Sequence, residues 1–160
     1  MTHTGNTQKH QSSNVLVSYA MQRYKNTLLS LLKDIGPEEI LEAGCGEGFI
    51  CEEIHDAFPH IPIHGFDIDS DRLSYAKAHH AHANITYSED DIFSFNHQSS
   101  CILCLEVLEH IESYEKALEH ISEEAEEHVV FSVPREPWFR LANLARLSYV
   151  SRLGNTPGHV

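Results

Sequence analysis

Ile40-Leu-Glu-Ala-Gly-Cys-Gly-Glu-Gly-Phe-Ile50 decides the reading of this chain. A short apolar run ends at Glu42, glycines follow at positions 44, 46 and 48, and an amphipathic helical pattern begins. Glycines at alternate positions let the backbone turn tightly and admit a ligand closer than any Cβ would allow. In an open α/β sheet, ligands bind where the carboxyl ends of the strands meet the following helices. A dinucleotide-binding loop reads G-x-G-x-x-G and turns a helix N-terminus onto a pyrophosphate. Here the spacing is G-x-G-x-G, with an acid two residues before the first glycine. That acid would repel a pyrophosphate and suits a cationic group instead.

Working outward, the same alternation continues on both sides of the loop. Apolar residues recur at helical spacing from Asn14 to Ile35, and Gly36-Pro37 then supplies the usual stop. Strands are predicted over Glu39–Ala43, Ile61–Asp67, Ile85–Tyr87, Cys101–Leu105 and His128–Val133. Helices are expected over about Glu47–Phe58, after a Ser70 cap, and after a Ser113 cap. Cys101–Leu105 is continuously apolar, as a strand buried on both faces requires. The alternation of strand and helix predicts an α/β fold: a doubly wound parallel sheet with helices on both faces.

Each chemistry-bearing motif follows a predicted strand. Asp67 ends the second strand about twenty residues past the glycines, where a carboxylate can accept both hydroxyls of a ribose. Asp69 is the alternative acid, though it stands where a helix begins. Asp90-Asp91-Ile92 follows the third strand, and Cys104-Leu-Glu-Val-Leu-Glu-His110 ends the fourth. In this order the motifs resemble those of the class I S-adenosylmethionine-dependent methyltransferases, over residues from about 38 to 134. E-V-L-E-H resembles the fourth motif of many small-molecule members, including the ubiquinone-biosynthesis O-methyltransferases.

The resemblance implies a Rossmann-like methyltransferase fold, with five of its strands visible, and S-adenosylmethionine as cofactor. Glu42 would meet the ammonium of its amino-acid end, and Gly44, Cys45, Gly46 and Gly48 would form the loop around it. Asp67, with Ile68 beside it, would hold the ribose. Asp91, in preference to Asp90, would receive the adenine amino group while Ile92 packs its ring. Leu105 and Glu106 would line the methionine end. The implied organisation is an N-terminal helical extension over residues 1–36, a cofactor-binding core over 37–134 and an amphipathic cationic helix and tail over 135–160.

The implied activity is methyl transfer to an oxygen or nitrogen nucleophile of a small-molecule acceptor. Two alternatives stand beside it: a cofactor-binding or regulatory module without turnover, and a metal-dependent RNA 2′-O-methyltransferase. The second rests on Glu106, Glu109 and His110, which share one face if their turn is helical. Two carboxylates and an imidazole can bind Mg²⁺ or Mn²⁺, and some relatives use this constellation for such a metal. His110 is also the candidate general base.

Composition sets bounds on these readings. The 160 residues make one domain, and no apolar run approaches the ~20 residues of a membrane helix. A formal charge of −13 argues against broad contact with nucleic-acid phosphate. Four cysteines without a disulfide pattern indicate reduced thiols in a cytoplasmic protein. Cys101 and Cys104 have C-x-x-C spacing, but three apart on a strand they point to opposite faces. His79, His80 and His82 read as a helix end meeting solvent. Four of the six arginines fall at positions 135, 140, 146 and 152, among Trp138, Phe139 and Leu141, as on a lid, a substrate wall or an interfacial helix.

The family's sheet normally adds two strands as a final antiparallel hairpin, for which this chain shows no sequence. The fifth strand would then be an apolar edge, which natural proteins avoid. A shortened chain is the favoured expectation; a partner or second copy covering that edge is the other.

Overall fold

A computed structural model describes residues 15–133. The chain opens with helix α1 (Val15–Ile35), which buries Leu28 and Leu32 against the sheet. It stops as expected: Gly36, at φ +64°, donates its N–H to the carbonyl of Leu32 at 2.8 Å. The strands are β1 (Ile40–Ala43), β2 (Ile63–Asp67), β3 (Ile85–Glu89), β4 (Ser99–Leu105) and β5 (Ala125–Ser132). Between them lie α2 (Phe49–Ala57), α3 (Ser70–His79), a 3₁₀ turn (Leu108–His110) and α4 (Tyr114–Glu124).

All neighbouring strands are parallel, in the order β3-β2-β1-β4-β5. Ile40 of β1 sits beside both Ile63 and Cys101, and β1 and β4 stay paired to Ala43 and Cys104, from where the helices that follow them go to opposite faces of the sheet. That is the point where the strand order reverses, and an open crevice forms there.

Alternation along the strands builds two cores. Ile40, Cys101, Leu103 and Leu105 face Leu28, Leu32, Ile54 and Leu73 on one side. Leu41, Ala43, Ile102 and Cys104 face Phe66, Phe95 and Ile121 on the other. Cys101 and Cys104 therefore do point to opposite faces, and burial pushes their thiols up to about 11 and about 12. All seven residues of β4 are buried, as its unbroken apolar run requires.

As the placement of the expected helices implies, none links β3 to β4; a short loop does, with Phe95 buried against Phe66 at a ring distance of 4.8 Å. One aromatic side chain thus seals what a helix would otherwise cover. β5 begins at Ala125, not His128, because Glu126 and Glu127 read as helix surface but lie exposed on an edge strand. On that edge Phe131 and Val133 are exposed, while the arginine-rich stretch over residues 135–160 lies outside the described residues. Among the described residues, no helix is long and apolar enough to cross a membrane.

Candidate functional site

The glycine loop closes directly onto β2. Gly44 and Cys45 both donate N–H bonds to the carbonyl of Phe66, at 2.8 and 2.9 Å. Gly44 has φ +78°, and a Cβ there would stand 2.5 Å from Cγ2 of Val107. Gly48, at φ +81°, opens α2 where a Cβ would meet the Tyr87 hydroxyl at 2.6 Å. Only glycine meets both demands at these two positions.

Asp67 fastens the loop electrostatically. Its Oδ2 accepts the Gly46 N–H at 2.8 Å and its Oδ1 accepts the Asp69 N–H at 2.9 Å. Each oxygen keeps a second lone pair for a ligand. Asp69 is itself the cap of α3, accepting from the N–H groups of Asp71 and Arg72; the expected Ser70 cap is corrected to its neighbour. Asp69 is thereby occupied. Ile68, between the two acids, is 71% exposed.

The loop after β3 meets the same rim. The Asp90 N–H donates to the Asp67 carbonyl at 3.2 Å. Asp91 spends one carboxylate oxygen on the Phe93 N–H, and Ile92 packs partly into the second core. The structure thus gathers Asp67, Ile68, Asp91 and Ile92 along the carboxyl edge of β2 and β3.

Beside them, where β1 and β4 part, lies a cavity of about 210 Å³. Its floor is Glu42, Gly44 and Cys45 on one strand end and Leu105 and Glu106 on the other. Ala20, Met21 and Tyr24 of α1 cover it, and Phe49 and Ile50 of α2 complete it. No Lys, Arg or His stands among the described residues that line it.

Glu42 is the unusual group. It is 3% exposed, and the Cys51 thiol donates to its Oε2 at 2.8 Å. Burial pushes its carboxyl up to about 7; the Cys51 bond opposes the rise and the charge of Asp67 adds to it. An anion in a dry site favours either a proton or a cationic ligand.

Glu106 is held differently. It is the one non-glycine with positive φ, +58°, among the described residues. Its N–H donates to the Ser132 carbonyl at 3.0 Å, and the Ser132 hydroxyl donates to its Oε1 at 3.2 Å. The Tyr24 hydroxyl lies 3.1 Å from the same serine oxygen. Tyr24 and Ser132 escaped the sequence reading, and Cys51 was read there only as one of four reduced thiols, not as a partner of Glu42. The helical spacing of Ala20 and Tyr24, four apart on one face, was the available signal.

The structure does not bring Glu106, Glu109 and His110 together as a metal-holding group. Positive φ at Glu106 breaks the helical continuity that would align the three side chains, and the 3₁₀ turn starts only at Leu108. Among the described residues, no group of three or more His, Cys, Asp or Glu side chains is arranged to hold a metal. His110 is exposed and does not line the cavity.

His80 is also corrected: it is buried, its Nδ1 2.7 Å from Glu52 Oε2 and its ring 5.0 Å from that of Phe49. His82 stacks on His55 at 3.9 Å and is half-buried, while His79 is exposed as expected, with its ring stacked on that of Tyr75 at 4.0 Å.

Comparison with known proteins gives these features a family. Residues 16–159 match the model of a methyltransferase domain. A malonyl-[acyl-carrier protein] O-methyltransferase of Hahella chejuensis is 32% identical over 54 residues, which span 34% of this chain and 19% of that protein. The fold of magnesium protoporphyrin IX methyltransferase from Synechocystis PCC 6803, solved with bound SAH, superposes with a TM-score of 0.68. That match has 19% identity and covers 88% of this chain and 69% of the other. The N-methyltransferase NodS of Bradyrhizobium japonicum WM9, in complex with S-adenosyl-L-homocysteine, gives 0.62 at 22% identity, over 75% and 63% of the two chains.

Proposed function

The chain belongs to the methyltransferase-domain family, and on that premise we propose that it transfers a methyl group from S-adenosylmethionine to an oxygen or nitrogen nucleophile of a small-molecule acceptor. When bound, the cofactor supplies an electrophilic methyl group on a sulfonium, and transfer leaves the sulfur as a neutral thioether.

The observation that carries this reading is Glu42: a buried carboxylate on a cavity with no cationic side chain among its described lining residues. The ammonium of an amino-acid ligand answers that deficit; a pyrophosphate would worsen it. Asp67 would accept the ribose hydroxyls with the lone pairs its two backbone bonds leave free. Asp91 and Ile92 would receive the adenine, and the backbone of Gly44, Cys45, Gly46 and Gly48 would pass beneath the amino-acid end. Positioning then supplies most of the rate in a direct displacement. Among the described residues, the candidate metal ligands Glu106, Glu109 and His110 do not converge. The net charge of −13 favours a small acceptor over RNA, whose phosphates it would repel.

Calorimetric titration of the chain with S-adenosylmethionine and, separately, with NADH tests the proposal. Saturable binding of the first alone is expected. Absence of such binding by a folded sample, or a preference for NADH, refutes it.

A further inference from the structure

Glu106 joins Glu42 in the cavity wall, but what holds it comes from two distant parts of the chain. Ser132 has a single hydroxyl hydrogen, and it goes to Glu106 Oε1. The Tyr24 hydroxyl, 3.1 Å from Ser132 Oγ, must therefore be the donor in that contact. A relay with one direction results: Tyr24 to Ser132 to Glu106. It ties α1 to the carboxyl ends of β5 and β4, across 108 residues of sequence. Burial pushes the Tyr24 hydroxyl up to about 12, with the charges of Glu106, Glu42 and Glu109 adding to the rise, so it keeps its proton at neutral pH. The backbone takes part as well, since the Glu106 N–H is spent on the Ser132 carbonyl and its φ is +58°. A residue strained in this way persists only where its surroundings over-determine it.

We propose that Tyr24 and Ser132 are positioning residues: they fix the Glu106 carboxylate in the cavity wall, from which it selects the sulfonium form of the cofactor over the neutral thioether product. The proposal rests on the methyltransferase reading above. A fixed carboxylate attracts a sulfonium by simple Coulomb interaction and gains nothing from a thioether. Such a device favours loading of the methyl-bearing form and release of the spent one. A carboxylate free to rotate to water would lose that discrimination, because its charge would be solvated away from the cavity.

The test is the ratio of affinities for S-adenosylmethionine and S-adenosylhomocysteine, measured calorimetrically at pH 8 on the full chain. The wild type is expected to prefer the sulfonium by roughly tenfold, the effect of one modest charge interaction. E106Q should abolish the preference. Y24F and S132A should each reduce it several-fold, while S132T, which keeps the hydroxyl, should retain it. S132A also serves as the second variant if Y24F folds poorly. Equal losses of both affinities in Y24F and S132A, with the ratio unchanged, would show a merely structural role and overturn the proposal. An unchanged ratio in E106Q would overturn it too, while leaving the cofactor reading intact. Failure of the folded wild type to bind either ligand would overturn both.

Discussion

Replacing Glu42 by Gln should make the ligand-free protein more stable and the cofactor site worse. The carboxyl of Glu42 rises from its ordinary 4.5 to about 7, chiefly through burial. Each pKa unit is worth about 1.4 kcal/mol, so keeping this group ionised in the folded state costs about 3 kcal/mol. The sign follows from proton counting. Between 4.5 and 7 the folded chain holds a proton on Glu42 that the unfolded chain has released, so stability falls as pH rises through that window. Below 4.5 both states are protonated and the penalty vanishes; above 7 it is complete. Glutamine never ionises, and its carbonyl oxygen can still accept the Cys51 thiol now bonded to Oε2.

The assay is urea unfolding of wild type and E42Q at several pH values, comparing the difference so that other titrating groups cancel. E42Q should gain up to about 3 kcal/mol at pH 8 and nothing near pH 4. The same substitution should weaken S-adenosylmethionine binding by roughly 10- to 100-fold, the worth of one charge-assisted hydrogen bond. Wild-type binding near pH 6 should release protons as the ammonium ionises Glu42, seen as a dependence of the binding enthalpy on buffer. A stability difference that does not vary with pH, or an E42Q protein less stable than wild type at pH 8, would refute the reasoning.

Asp67→Ala strands the buried N–H of Gly46, at about 1–3 kcal/mol, and the half-buried N–H of Asp69 at less, and should lower both the thermal midpoint and S-adenosylmethionine affinity. Gly44→Ala places a Cβ 2.5 Å from Val107 Cγ2 at φ +78°. Adding Val107→Ala should recover the steric part in urea titrations but leave the roughly 1–2 kcal/mol of left-handed backbone cost. Mg²⁺, Mn²⁺ or a chelator should leave calorimetric S-adenosylmethionine affinity unchanged, since no metal-holding group exists among the described residues; a metal-dependent increase would restore the constellation at Glu106, Glu109 and His110.

What the sequence made legible was local. Glu42, the glycine loop and Asp67 are read from residue types at short spacing, because one strand, one turn and the next strand end build that part of the site. The Asp69 cap was misread by one residue for an equally local reason: Ser70 and Asp69 both suit helix starts, and only the bonds to Asp71 and Arg72 separate them. What escaped was pairing at long range. Nothing in the neighbourhood of Tyr24 announces Ser132, since their contact exists only once β5 has docked beside β4. The Glu106 backbone is the sharper case. E-V-L-E-H scans as helical, and a helix would line up its two acids and its histidine. Yet the Glu106 N–H is bonded to the Ser132 carbonyl instead, which draws that residue toward the neighbouring strand and out of helical register. One tertiary hydrogen bond thus separates a metal-binding spacing on paper from a single carboxylate held at a cavity wall, and the same bond makes Ser132 part of the site.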